Sequence, residues 1–244
     1  MKFFRSSVNQ LVILIMLIIS GNLIKAQNQN YKSMVDNIHW LGQAAVKVAT
    51  AEKVIYIDPY RIQNKDQADI VLITHGHSDH LSPDDIEKII NANSIIIAPE
   101  NCMGKLEDFN VREIKSISPG QSIALDDINI TAVPAYNIVK TNFHPKSNNW
   151  VGYILNIEGT RIYHAGDTER IPEMKDVECD IAMLPLGQTY TMNSVKDAAD
   201  AAIDVKARIA IPIHYGLYEG NEDDARKFKE LLAGKVDVII KPVE

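Results

Sequence analysis

Apolar runs rich in β-branched residues recur along the chain, at Val54–Ile57, Ile70–Ile73, Ser94–Ala98, Ile128–Val133, Val151–Ile157, Ile181–Leu184, Ile209–Ile213 and Val236–Ile240. Short runs of this kind, bounded by turn-forming residues, predict strands. A short turn at Ala51–Lys53 is expected to join two strands near the start. Helical patterns stand between several of the runs. Ser82-Pro83-Asp84-Asp85 reads as an N-cap, a proline at the first helical position and early acids. Asn193–Lys206 places Val195, Ala198, Ala199, Ala202 and Ile203 on one face, and Asn221–Ala233 does the same with Ala225, Phe228, Leu231 and Leu232. The alternation predicts one α/β domain over residues 37–244, without internal repeat, low-complexity tract or linker.

Residues 1–26 break the pattern. Lys2 and Arg5 precede a nine-residue apolar run, Leu11–Ile19, and small or polar residues lead on to Ala26-Gln27. That is the layout of a secretory signal peptide, cut after Ala26. The run is about half of the ~20 residues a transmembrane helix needs. An uncleaved N-terminal anchor is the alternative. The expected location is periplasmic or secreted, with no stable membrane insertion after signal removal. Residues 27–36 are polar and expected to form a flexible start.

Composition narrows the class. The chain has 244 residues, 46% of them hydrophobic, which excludes disordered and fibrous proteins. The formal net charge is −7, and losing Lys2, Arg5 and Lys25 with the signal takes it to −10. That balance argues against a nucleic-acid partner bound by phosphate neutralisation. It leaves room for a small anionic substrate in a locally positive site. The two cysteines, Cys102 and Cys179, are expected to be buried free thiols.

The histidines carry the chemistry. Thr74-His75-Gly76-His77-Ser78-Asp79-His80 puts three imidazoles and a carboxylate within six residues, after a buried-type strand and before a capped helix. Neutral imidazole and carboxylate suit zinc and other first-row metals. Six residues cannot wrap all four groups around one ion without strain, so two adjacent ions are the easier arrangement. His144, His164, Asp167 and His214 are the candidates for further ligands. Gly166 permits a tight turn that projects Asp167, and His214 ends the Ile209–Ile213 run. The plainer readings are a helix N-cap for 168–174 at Asp167 and a half-buried histidine at His214.

With these motifs in place, the chain resembles the metallo-β-lactamase fold superfamily, and most of all its small metal-dependent hydrolases of the ascorbate-6-phosphate lactonase-like kind. The likeness covers about residues 36–244. It rests on Trp40-Leu-Gly42, Tyr56-Ile-Asp-Pro59, Thr74–His80, Tyr163–Thr168, Leu184-Pro-Leu-Gly187 and Ile211–Gly216, in the family's order. It implies a four-layer αββα sandwich with metals at one edge between the sheets. It also implies His75 and His77 on a first ion, Asp79, His80 and His214 on a second, and Asp167 bridging. Asp58 would steady a ligand loop through the far nitrogen of an imidazole. Where many relatives place a histidine after Val-Pro-Ala, this chain has Asn137; His144, seven residues on, is expected to complete the first site. Gln43 stands where histidine is frequent in the branch. His164 is expected to be structural, and His39 to be a strand residue.

The implied function is an exported hydrolase with two divalent ions, zinc first with manganese or iron as alternatives, that activates water against a small ester, lactone or phosphoester. Asp79 could both ligate and take the proton from water. No G-x-S-x-G stretch offers a serine nucleophile. Asp167 argues against lactam cleavage, since lactam-cleaving relatives use cysteine in the second ion's shell. Tyr190, Tyr215, Tyr136, Arg61 and the 138–149 loop are candidate substrate contacts. The alternatives are a phospholipase-like phosphodiesterase and a non-catalytic metal-binding protein of the same fold.

Overall fold

The β-branched runs pair into two sheets. The computed structural model describes residues 31–63 and 66–244, so the signal-like segment 1–26 lies outside the described residues. Residues 31–36, expected to be loose, are helical. Residues 37–244 form a unit of their own.

The first sheet contains β1 (Ile38–Gly42), β2 (Ala45–Ala49), β3 (Val54–Ile57), β4 (Ile70–Leu72), β5 (Ile95–Ala98) and β6 (Glu113–Ser116). The second contains β7 (Ser122–Leu125), β8 (Ile128–Pro134), β9 (Val151–Ile157), β10 (Thr160–His164), β11 (Ile181–Pro185), β12 (Ile209–Ile213) and β13 (Asp237–Val238). In both, neighbours in space are neighbours in sequence. Strands β3 to β6 are parallel, as are β10 to β13. The remaining pairs are antiparallel hairpins and meanders. Parallel strands are buried on both faces, and β4, β5, β11 and β12 are buried at every position.

Helix α1 (Pro83–Ile89) covers the outer face of the first sheet, where Ile86 and Ile89 pack with Val71, Ile73 and Ile96. Helices α2 (Val195–Asp204) and α3 (Glu222–Leu232) pack with each other, α2 against β11 and α3 against β13. Between the sheets, the Tyr153 hydroxyl of β9 donates to the Ile73 carbonyl at 2.8 Å. The result is the αββα sandwich.

Ser82 stands at the α1 N-cap, but its hydroxyl donates to Asp85 Oδ2 at 2.7 Å instead of accepting from the backbone. Helix α2 is shorter than its sequence pattern, starting after the Ser194 cap and ending before Lys206, whose φ is +56°. The Val236–Ile240 run contributes only the two residues of β13. Residues 168–171 are not helical; a 3-10 turn follows at Pro172–Asp176, so Asp167 caps no helix. Cys102 and Cys179 are free and buried, and burial pushes both thiols up to about 12.

Candidate metal centre

The parallel strands of both sheets end at one edge, where α/β folds collect their ligands. The loop after β4 brings His75, His77, Asp79 and His80 there. The loops after β8, β10 and β12 bring His144, Asp167 and His214. The two sheets are tied at this edge by the Val151 N–H, which donates to the Thr74 carbonyl at 3.2 Å.

Two triads form. Ligand atoms of His75, His77 and His144 lie within 4.8 Å of one another, and so do those of Asp79, His80 and His214. Between them stands Asp167. Its Oδ2 is 3.3 Å from His144 Nε2, 3.4 Å from His80 Nε2 and 3.1 Å from His214 Nε2. Asp58, His75 and His80 also cluster, but Asp58 meets the far side of the His80 ring.

Each ring is turned by what its other nitrogen touches. His80 Nδ1 donates to Asp58 Oδ2 at 2.7 Å. Asp58 also accepts from the Thr74 N–H and from the Thr74 hydroxyl, at 2.7 and 2.6 Å. That hydroxyl in turn accepts from His75 Nδ1 at 3.0 Å. One carboxylate thus orients an imidazole in each triad. His144 Nδ1 faces the Tyr190 carbonyl at 3.2 Å, and His214 Nδ1 faces Glu219 Oε1 at 3.0 Å. A proton on each of these nitrogens leaves a lone pair on Nε2 for the site. His77 turns Nδ1 inward, 3.0 Å from His75 Nε2.

Several buried atoms here lack a hydrogen bond within the protein. His80 Nε2, His144 Nε2 and Asp167 Oδ1 are buried and lack a hydrogen bond. Unpaired buried polar atoms are costly, so converging lone pairs of this kind fit divalent cations. Electrostatics agree. Burial pushes the His75 and His77 rings below the usual histidine value. Burial also opposes charge on His80 and His214, but Asp167 outweighs it, holding His80 well above the usual value and His214 at about 10; the surroundings of Asp167 thus draw positive charge, which a bound cation would supply in place of these protons. Asp167 stays far below the usual carboxylate range, since His214 and His80 overcome the effect of burial.

The backbone is strained at the same edge. Gln43, Asp58 and His214 adopt φ of +48°, +48° and +58°. Such conformations cost a non-glycine residue roughly 1–3 kcal/mol each. The His214 N–H donates to the Gln43 carbonyl at 2.7 Å, joining two of the three. Gly166 is required where it stands: its φ is +64°, and a Cβ would lie 2.8 Å from the Val151 carbonyl oxygen.

Sequence reasoning expected His144 to complete the first site and gave no role to Gln43, Glu169 or Glu219. His144, not Asn137, turns toward the triad; the Asn137 amide donates to the Tyr190 carbonyl at 2.7 Å. Gln43 donates to Asp79 Oδ2 at 3.0 Å and sits 2.8 Å from His214 Nε2. Glu219, buried behind His214, accepts from the Thr189 and Tyr190 N–H groups at 2.7 and 2.6 Å. Glu169 accepts from three successive N–H groups, those of Ile138, Val139 and Lys140, and so pins the loop that carries His144. Neither acid was visible in the sequence; a carboxylate five residues past His214 was the one available signal for Glu219.

Other candidates lie elsewhere. His164 is buried beside the site, with Nε2 donating to the Ala44 carbonyl at 2.9 Å. His39 is in β1 and pairs with Glu244. Tyr190 and Phe143 line the metal cleft, which encloses about 260 Å³. Tyr136 is packed away from it, bonded to Glu173 and Lys146. Tyr215 and Arg61 line a neighbouring groove.

A helix–sheet–sheet–helix sandwich with a His triad and an Asp/His triad at one strand edge defines the metallo-β-lactamase class of metalloprotein. Comparison narrows this. The beta-lactamase superfamily domain matches residues 37–214. The chain is 33% identical over 221 residues to a UPF0173 metal-dependent hydrolase of Methanopyrus kandleri, covering 83% of this chain and 95% of that one. A solved protein of Parabacteroides distasonis, provisionally named a metal-dependent hydrolase, superposes with TM-score 0.75 at 36% identity, covering 85% of this chain and 93% of that one. Igni18, a metallo hydrolase of Ignicoccus hospitalis, shares the fold with TM-score 0.69 at 22% identity, over 85% of this chain and 95% of its own. The chain belongs to the metallo-β-lactamase superfamily, among its UPF0173 metal-dependent hydrolases.

Proposed function

We propose that the protein is an exported hydrolase that holds two zinc ions and cleaves a small ester, lactone or phosphoester. His75, His77 and His144 would hold one ion, and Asp79, His80 and His214 the other, with Asp167 shared. The observation that carries this reading is Asp167 Oδ2, within 3.4 Å of imidazole nitrogens from both triads. A donor set of five imidazoles and two carboxylates suits zinc better than magnesium or calcium. Bound divalent ions supply the Lewis acidity that lowers the pKa of water and polarises a carbonyl or phosphoryl oxygen.

The protein's own groups do the rest. Asp79 is half-buried at the cleft, so its carboxylate can take the proton that water loses. The Gln43 amide donates to Asp79 Oδ2 and holds that carboxylate in place. Asp58 and Glu219 keep His80 and His214 in one tautomer. Phe143 and Tyr190, in edge-to-face contact at 4.9 Å, form an aromatic wall of the cleft.

The test is metal content of the protein beginning at Gln27, beside Asp167→Ala. Two ions per chain, falling to one or none in the variant, are expected. One ion or none in the unmodified protein would overturn the dinuclear reading. Cell fractionation and N-terminal sequencing check export; a cytoplasmic protein that keeps Met1 would refute it.

A further inference from the structure

We propose that the groove beside the metal cleft binds the apolar chain of an acyl ester. This rests on the hydrolase reading above and names its substrate class. The cleft itself, about 260 Å³, falls below the roughly 300–1,000 Å³ of ordinary small-molecule sites. The adjoining groove encloses about 780 Å³. Gln43 belongs to the wall of both. Tyr60 of the groove shares a 2.6 Å hydroxyl–hydroxyl hydrogen bond with Tyr218 of the cleft. A molecule cleaved in the cleft therefore has this groove beside it for the rest of its length.

The lining selects what that length is made of. Trp40 and Tyr215 stack at 4.7 Å, and Leu41, Leu217, Ile240 and Val243 join them. Leu217, Tyr218, Ile240 and Val243 are half of the large apolar residues left exposed among the described ones, and all four stand at the groove or its shared wall. An apolar concavity beside a cleft is where the remainder of a bound molecule is accommodated. The acids in the lining are engaged, Glu222 with Arg226 and Glu244 with His39. An acyl chain needs no hydrogen-bonding partner and gains by covering such a wall. In the reaction the acyl carbon–oxygen bond breaks; water gives its oxygen to the acyl carbon and a proton to the departing alkoxide. The chain in the groove would hold the acyl carbon at the cleft.

The experiment uses p-nitrophenyl esters from acetate to octanoate on the metal-loaded full chain. KM is expected to fall about three- to fourfold per added methylene, roughly 100-fold from butanoate to octanoate. Val243→Asp, outside the cleft, should leave acetate turnover unchanged and raise the octanoate KM by about tenfold. In parallel, dansyl-undecanoic acid should bind the chelator-treated full chain and bind Val243→Asp more weakly. Turnover of every ester with a flat KM series, and no probe binding, would overturn the groove and spare the hydrolase reading. Probe binding lost in Val243→Asp, with no ester cleaved, would support the groove and overturn ester hydrolysis. A dimer that Val243→Asp dissociates would assign the groove to a second copy and overturn the proposal.

Discussion

Asp58 accepts three hydrogen bonds while fully buried, and those bonds orient His80 directly and His75 through the Thr74 hydroxyl. Asp58→Asn keeps the shape but cannot satisfy all three donors, since its NH₂ must face one of them. Losing a partner behind a metal-bound imidazole typically lowers metal affinity 10- to 100-fold. That is about 1.4–2.7 kcal/mol per ion. Because Asp58 serves an imidazole in each triad, both ions should weaken. Thr74→Val separates the two paths: it cuts the relay to His75 and leaves the Asp58–His80 bond. Competition against a chromophoric chelator reads both affinities, with circular dichroism to show that the variants fold. Asp58→Asn should weaken both sites, and Thr74→Val only the one built on His75. Unchanged affinities in Asp58→Asn would refute the orienting role, as would equal losses at both sites in Thr74→Val.

Three further predictions follow from other contacts. Asp85 accepts from the Arg61 and Ile62 N–H groups, Ser82 and Lys88, and these bonds outweigh burial to hold its carboxyl below the usual value. Its charge therefore stabilises the fold above the unfolded carboxyl pKa of about 3.9, and that contribution is lost as pH falls through the lower folded value. Asp85→Asn should unfold at lower temperature than the parent at pH 7, with the gap closing toward pH 3; a constant gap would refute this. A Cβ on Gly187 would stand 1.7 Å from Glu219 Cδ, so Gly187→Ala should displace that carboxylate. Thermal denaturation should show a loss of about 1–3 kcal/mol, with weaker metal binding; an unchanged melting temperature contradicts the packing. Gln43 donates to Asp79 and abuts His214 Nε2, so Gln43→Leu should bind the second ion roughly tenfold more weakly by calorimetry. Unchanged or tighter binding would refute its role in holding Asp79.

The clearest strands in the sequence were those buried on both faces. Val54–Ile57, Ile70–Leu72 and Ile209–Ile213 are apolar at nearly every position because sheet and helix cover both faces. The edge strands β6 and β7 escaped, since Glu113-Ile-Lys-Ser116 and Ser122-Ile-Ala-Leu125 show polar or small residues to water and read as loop. At the site, His75, His77, Asp79 and His80 were legible because they are local in sequence. Glu169 and Glu219 were not. Each takes its meaning from backbone N–H groups about thirty residues away, a proximity that only the fold creates.

The order of elements along the chain has a consequence for biogenesis. The first sheet is complete by Ser116 and the second starts at Ser122, so the two halves of the centre are synthesised in succession. The His75–His80 loop exists long before His144, Asp167 and His214 are made. On the dinuclear reading, loading waits for nearly the whole molecule, and the ions act as late crosslinks between its halves. Retention of two ions then becomes a gauge of chain completeness. A product ending before His214 keeps the His75–His80 loop but lacks the group that closes the second triad.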